Sequence, residues 1–350
     1  MKRKKNNFVP WVPTHIYQKG YAGRVLFYCA RDRLVYLSIF FAEARARGVK
    51  VLAITLMFNH VHGDIIVGSW RELVAFNKEV CRRYAAAFNR AAGRSGPVFM
   101  HSFGWSQKRS DKDVMDNLCY LANNPVKKKL CRRGVDNRWT LLAYGARRYP
   151  FSEPLALRNT SKRMRRAVAL AKDCLDRGQV LNYAILDRIF AHLDKRESRQ
   201  MLDFLIQHMS IVDYGRAASY FGGFQKMLDA FEVTTGSEYD ISMDFVPEPD
   251  GPYAEMAFIV EREGCELVRK EGCGLVRKER GDWVKKEGCE LVRKEGCGLV
   301  RKEGYDLVRK AFLTADADEK MMLARLFRLK TSASERQIRR FLYLEGLGEV

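Results

Sequence analysis

The chain has 350 residues, 47% of them hydrophobic, enough for one large core or two to three smaller ones, and with this composition a folded rather than a disordered chain is expected. No run approaches the roughly 18 apolar residues that span a bilayer, and the basic start at Met1–Asn6 leads into no apolar segment. Neither a membrane-spanning helix nor a signal peptide is expected, and a cytoplasmic location is expected. The formal charge of +20 is polarised: residues 1–150 hold 28 Lys and Arg against 9 Asp and Glu, or +19 of the total. Such a field points to a polyanionic partner, most simply nucleic acid, or else to a merely soluble basic surface. The nine cysteines form no CxxC and no Cys/His cluster, so free thiols are expected at Cys29, Cys81, Cys119, Cys131 and Cys174 and in the repeated segment.

The run Val25–Ala30 reads as a first strand. Asp32 then caps a helix to about Arg47, with Leu34, Leu37, Phe41 and Ala44 at helical spacing and Gly48 as its stop. Val49–Met57 predicts a second strand, Phe58-Asn59 a tight bend, and His60 to about Gly68 a third strand. Leu73, Phe76, Val80, Tyr84 and Phe88 mark a helix over 70–92. Pro97–Trp105 reads as a strand. A short helix through Val114, Leu118 and Leu121 carries Tyr120 and is expected to end at Asn123-Asn124-Pro125. The order strand, helix, strand, strand, helix, strand, helix defines an α+β class: an antiparallel sheet with flanking helices.

Beyond a break at 147–154, three helices are expected: one starting at Thr160-Ser161, one over Tyr183–Leu193 and one over Glu197–Met209. Gly222-Gly223 punctuates this region, and the acidic stretch 238–250 reads as an exposed connection. Glu263–Lys310 is six tandem octapeptides of the type EGCELVRK. Eight residues overshoot two helical turns by about 80°, so the Leu-Val pairs would spiral round a helix, and the glycines and charges disfavour a stable sheet. The array reads as an in-frame expansion inserted in a tolerant linker. A helix over about Lys320–Leu329, a turn, and a second helix capped at Ser334 outline a C-terminal helix-turn-helix, or an ordinary basic helix pair. Arg336, Arg339 and Arg340 lie on the exposed face of its second helix. The expected divisions are therefore 1–146, 147–260, 261–310 and 311–350.

Alternation along a strand points His60 and His62 to the same side. Such a pair is half of a metal site; it also suits neutral imidazoles bonded within a sheet. Tyr120 and Asn124, four apart, share a helix face, so a phenol and an amide oxygen can reach one point. Two imidazoles and an amide oxygen would hold Mg²⁺ or Mn²⁺ with positions open for a phosphate oxygen, and the phenol would supply a nucleophile. Lys108, Arg109, Lys127, Lys128, Lys129, Arg132 and Arg133 would meet a DNA backbone. Tyr21, Phe99, Phe103 and Trp105 either stack bases or fill core.

The motifs FNHVHGDIIV and YLANNPVKKKL, about sixty residues apart, resemble the HUH-type single-tyrosine transposases, closest to the REP-associated tyrosine transposase branch. The resemblance covers about residues 10–145. It implies a ferredoxin-like HUH domain, metal-binding His60 and His62, a third ligand at Asn124, and Tyr120 as a nucleophile forming a 5′-phosphotyrosine. It further implies a homodimer acting on single-stranded DNA with hairpins. Phe58 stands where the family usually has proline, and Gly63-Asp64 replaces a more typical apolar pair. Two other readings stay open: a regulatory DNA-binding protein with an idle nuclease, and a replication- or conjugation-type HUH initiator. The absence of a P-loop, GxxxxGK[ST], counts against the latter.

Overall fold

A computed structural model describes residues 8–233, 250–260, 275–277, 283–285, 313 and 317–344. Four strands, β1 (Thr14–Lys19), β2 (Lys50–Leu56), β3 (His60–Ile66) and β4 (Gly104–Gln107), form one sheet in the order β2-β3-β1-β4. Every pairing in it is antiparallel. Helix α1 (Ala30–Arg47) joins β1 to β2, and α2 (Trp70–Ala92) joins β3 to β4. This β-α-β-β-α-β order gives the expected α+β class with a ferredoxin-like arrangement.

Both helices end where a side chain or a glycine satisfies their open backbone groups. In α1, Asp32 Oδ2 accepts from the backbone N–H of Tyr28 and Cys29 at 2.8 and 3.2 Å, and Gly48 closes the helix at φ 66°. In α2, Ser69 Oγ accepts from Glu72 N at 3.2 Å, and Gly93 closes the helix at φ 65°.

The helices cover one sheet face, where Ile16, Ile54, Val61 and Ile65 pack with Phe40, Phe41, Phe76 and Tyr84. Eight consecutive residues of α1, from Leu34 to Phe41, are buried, the mark of a helix enclosed on all sides. Its outer side is taken by later helices. Tyr183 Oη donates to Asp32 Oδ1 at 2.7 Å, and Leu181 N donates to Ser38 Oγ at 2.8 Å.

Two strand expectations are corrected. Val25–Cys29 is buried but forms no strand: Leu26 N and Phe27 N both donate to Phe58 O, which tucks the run under the β2–β3 bend. The first strand is instead Thr14–Lys19. Over 97–105 only Gly104 and Trp105 are strand, because the preceding stretch touches the sheet through the single bridge Gly20↔Phe99.

Helices α4 (Lys162–Asp176), α5 (Tyr183–Phe190), α6 (Lys195–Met209), α7 (Tyr214–Ser219) and α8 (Phe224–Val233) follow, then α9 (251–260). Helix α5 stops three residues short of the expected Leu193. Gly222 and Gly223 both take positive φ between α7 and α8. Most of the octapeptide array and all but the last residue of the stretch 238–250 lie outside the described residues. Within the array, Leu275–Arg277 pairs antiparallel with Trp283–Lys285.

Helices α10 (Ala317–Lys330) and α11 (Glu335–Leu342) stand where the C-terminal pair is expected. Ser334 Oγ caps α11, and Ile338, Phe341 and Leu342 are buried. This hairpin docks on residues 24–28: Tyr28 Oη donates to Phe341 O and Tyr343 Oη to Val25 O, each at 2.8 Å. No described helix is long and apolar enough to cross a membrane. The described cysteines are free thiols.

Asp203 of α6 ties the irregular segment 138–152 to the helices. Its carboxylate accepts from Tyr144 Oη at 2.7 Å, Ser152 Oγ at 2.8 Å and Phe151 N at 3.0 Å, and pairs with Arg138 at 3.1 Å. Removing it strands a partly buried guanidinium and three donors, so Asp203→Ala is expected to cost about 2–4 kcal/mol in urea unfolding. A loss under about 1 kcal/mol would show that the segment is held by packing alone.

Candidate active site

The second face of the sheet carries polar side chains. His60, His62 and Asp64 alternate along β3 on this face, and the β1 register sets Lys19, Tyr17 and His15 opposite them in turn. All three β3 side chains are buried.

Helix α3 (Asp111–Lys127) lies across this face. Ser110 and Asp113 close its start in a reciprocal capping box. The helix runs through Pro125 instead of ending there, correcting the expectation from the Asn-Asn-Pro sequence. Proline offers no N–H to the carbonyl four residues back, that of Leu121. Thr55 Oγ1 on β2 donates to Leu121 O at 2.9 Å and satisfies it. Thr55 stands opposite His62 in the β2–β3 register, so the proline's missing hydrogen bond becomes a pin between α3 and the histidine strand.

The pin sets Tyr120 and Asn124 on the histidines. Asn124 Nδ2 donates to Tyr120 Oη at 2.9 Å and to His62 Nε2 at 3.1 Å. The Tyr120 ring stands edge-on to His62 with centroids 5.4 Å apart. The four residues predicted from sequence therefore converge: His60, His62 and Tyr120 are each 1% exposed and Asn124 2%.

Burial first, and then the charges of Lys128 and Lys19, hold the His60 imidazole at about 3. His62 is driven well below its ordinary value by burial and by its neighbours His60 and His15. Both rings are neutral at physiological pH and can act as ligands. His60 Nδ1 donates to Asn59 Oδ1 at 2.7 Å, which leaves the His60 lone pair on Nε2. His62 Nε2 accepts from an amide N–H, so its lone pair is also on Nε2.

A divalent ion of the kind the resemblance implies fits this donor set. Asn124 Oδ1 is buried and makes no hydrogen bond. Among the described residues no three His, Cys, Asp or Glu side chains form a ligand group. The amide oxygen is the third donor that the resemblance implies; since Nδ2 is the end facing His62 Nε2, the amide would have to turn to join the histidines.

The basic residues divide into those near the site and those spent elsewhere. Lys127 Nζ lies 5.1 Å from the centre of the Tyr120 ring, and Lys128 is buried beside His60. Lys108 Nζ donates to Ser106 Oγ at the β4 edge, while Arg109, Lys129 and Arg132 are exposed. Arg133 is paired with Asp136 at 2.9 Å and Glu232 at 3.6 Å. Of the α11 arginines, Arg336 is exposed and Arg339 pairs with Glu335 at 3.4 Å. The Arg340 guanidinium lies against Gly23. Phe99 is core, whereas Phe103 and Trp105 join Trp70 and Phe8 in a partly buried aromatic cluster.

Sequence reasoning did not single out His15, Tyr17, Asp64 or Thr55. Tyr17 stacks on His62 at 5.0 Å. Asp64 accepts from Asn117 Nδ2 at 2.8 Å, and burial raises its carboxyl to about 7 against the opposing effects of Asn117 and Lys108. The alternation in Thr-His-Ile-Tyr-Gln-Lys was the available signal for the β1 residues.

Among solved structures the chain is similar to a REP-associated tyrosine transposase bound to a REP hairpin. The identity is 14%, the match covers 45% of this chain and 94% of that one, and the TM-score is 0.35. No family model and no curated protein matches the chain. So low an overlap carries no functional weight, and the site's own chemistry has to supply it.

Asp64 gives the site a pH signature. Its carboxyl titrates near 3.8 when unfolded and near 7 when folded, so the stability it contributes is complete below about 3.8 and is lost as the pH rises through 7. In EDTA, Asp64→Asn, which keeps an acceptor for Asn117, is expected to exceed the parent stability at pH 8 by up to about 4 kcal/mol. The difference should vanish toward pH 4; an equal gain at both pH values would contradict the assignment. Thr55→Val tests the pin, with an expected loss of about 1–3 kcal/mol.

Proposed function

We propose that the protein nicks and rejoins single-stranded, hairpin-containing DNA through Tyr120. The observation that carries this reading is that His60, His62, Asn124 and Tyr120 are buried together, with the Asn124 amide bonded to both His62 Nε2 and the phenol, on the most basic part of the chain. The Tyr120 oxygen would attack a backbone phosphorus as the bond to the 3′ oxygen breaks. The products are a 5′-phosphotyrosine and a free 3′-OH, which takes up a proton. Attack by a 3′-OH on that phosphorus reverses the step, returns the phenol and joins a strand, so the bond energy is kept.

His60, His62 and Asn124 would hold Mg²⁺ or Mn²⁺, which when bound supplies Lewis-acid polarisation of the phosphate. Within the chain, Asn59 keeps the His60 proton on Nδ1, and Asn124 Nδ2 orients the phenol. Lys127 places a positive charge beside the ring where phosphate would approach. Exposed Arg109, Lys129, Arg132 and Arg336 would contact DNA phosphates further out.

One observation favours a second reading, a DNA-binding regulator with an idle nuclease. Tyr120 is enclosed, and Asp250 at the start of α9 donates its N–H to Lys128 O at 3.2 Å while Tyr253 lies against Phe58. Strand transfer requires Tyr120 to be uncovered.

Labelled hairpin DNA with Mn²⁺, run on a denaturing gel, is expected to give a covalent adduct with the parent protein. Tyr120→Phe should give none and bind DNA with unchanged affinity, and His60→Ala should lose the metal-dependent adduct. An adduct that survives in Tyr120→Phe would remove Tyr120 as nucleophile, and binding with no adduct in the parent would favour the regulator.

A further inference from the structure

We infer that His15 is a positioning residue that fixes the tautomer and ring orientation of His62 for metal binding. This rests on the reading of His60, His62 and Asn124 as a divalent-metal site. His15 comes from β1, in the register diagonal to His62, and both rings are buried. Its Nε2 lies 2.9 Å from His62 Nδ1, with ring centroids 5.1 Å apart, so a single proton is shared along that line.

The other contacts of His62 decide where that proton sits. Its Nε2 faces Asn124 Nδ2, an amide nitrogen that only donates, so Nε2 carries a lone pair and the proton is on Nδ1. His62 Nδ1 therefore donates to His15 Nε2. The second proton of the neutral His15 ring is then on its Nδ1.

This arrangement repeats on His62 what Asn59 Oδ1 does for His60, where a side-chain acceptor takes the Nδ1 proton. Each histidine of the pair thus has a dedicated acceptor behind it and an Nε2 lone pair in front. His15 itself is not part of a ligand set, since the described His, Cys, Asp and Glu residues form no group of three and its Nε2 is engaged with His62. Without the acceptor, only the Asn124 amide holds the His62 proton off Nε2, and an amide that turned its oxygen to His62 would accept the proton there, where it would block coordination. Partners of this kind are commonly worth 10–100-fold in metal affinity.

The test measures Mn²⁺ affinity by electron paramagnetic resonance in the full chain, with histidine tautomers read from ¹⁵N shifts of the metal-free protein. His15→Phe is expected to weaken Mn²⁺ binding about 10–100-fold and to shift His62 away from the Nδ1–H form. His15→Gln, whose side-chain oxygen can take the same proton, should stay within about threefold of the parent. Thermal melts of both variants separate misfolding from lost positioning, and the glutamine variant keeps the test open if the phenylalanine variant does not fold. Equal losses in both folded variants, or a loss in neither, would overturn the inference. His60→Ala separates the two levels: if it abolishes binding while His15→Phe does not, only the role of His15 fails. If the parent binds no Mn²⁺, the metal-site reading fails with it.

Discussion

The backbone carbonyl of Leu121 governs the geometry of the site. Pro125 deprives it of a partner within α3, and the Thr55 hydroxyl supplies one from the sheet. A helix lying on a sheet can slide or rotate by several degrees at little cost while its contacts are apolar, as at Val114 and Leu118. A directional hydrogen bond in a buried place removes that freedom. Because Thr55 is the cross-strand neighbour of His62, the same bond indexes Tyr120 and Asn124 to the histidine. The proline that should have ended the helix instead locates it.

The polar face of the sheet carries a large desolvation cost. Three histidines and a carboxyl lie there almost without solvent contact, and burial holds His60 and His62 neutral while Asp64 tends to keep its proton. The face is tolerable because its groups are neutral and bonded to one another. Asn59 and His15 take the Nδ1 protons, Asn117 bonds Asp64, and Asn124 bridges His62 and Tyr120. That leaves an Nε2 lone pair on each of His60 and His62, the latter facing the Asn124 amide nitrogen, and a buried amide oxygen that makes no hydrogen bond. Burying such a set has little structural advantage over leucine or valine, which is the physical reason to read it as functional.

How much of this was legible in the sequence varied with the kind of signal. The long amphipathic helix Trp70–Ala92 and the strand His60–Ile66 were evident, because sustained periodicity outweighs local noise. That His60, His62, Tyr120 and Asn124 lie close together followed from two spacings, i to i+2 on a strand and i to i+4 on a helix, even though the helix end was misplaced. Strand β1 was missed since its outward face is His15, Tyr17 and Lys19, giving little apolar contrast with Ile16. The more apolar Val25–Cys29 drew attention in its place, and it proves to be core without strand pairing. His15 and Thr55 could not be assigned because their roles depend on register between strands far apart in sequence. The second helix of the C-terminal hairpin was placed correctly, yet its apolar face is used against residues 24–28, a contact no local pattern reveals.

The most direct measurement is anomalous diffraction from crystals grown with Mn²⁺. The expected result is one peak within coordination distance of Nε2 of both His60 and His62 and of Asn124 Oδ1, adjacent to the Tyr120 hydroxyl. No peak there at saturating Mn²⁺, or one bound through the Nδ1 atoms, would contradict the tautomers and the metal site together.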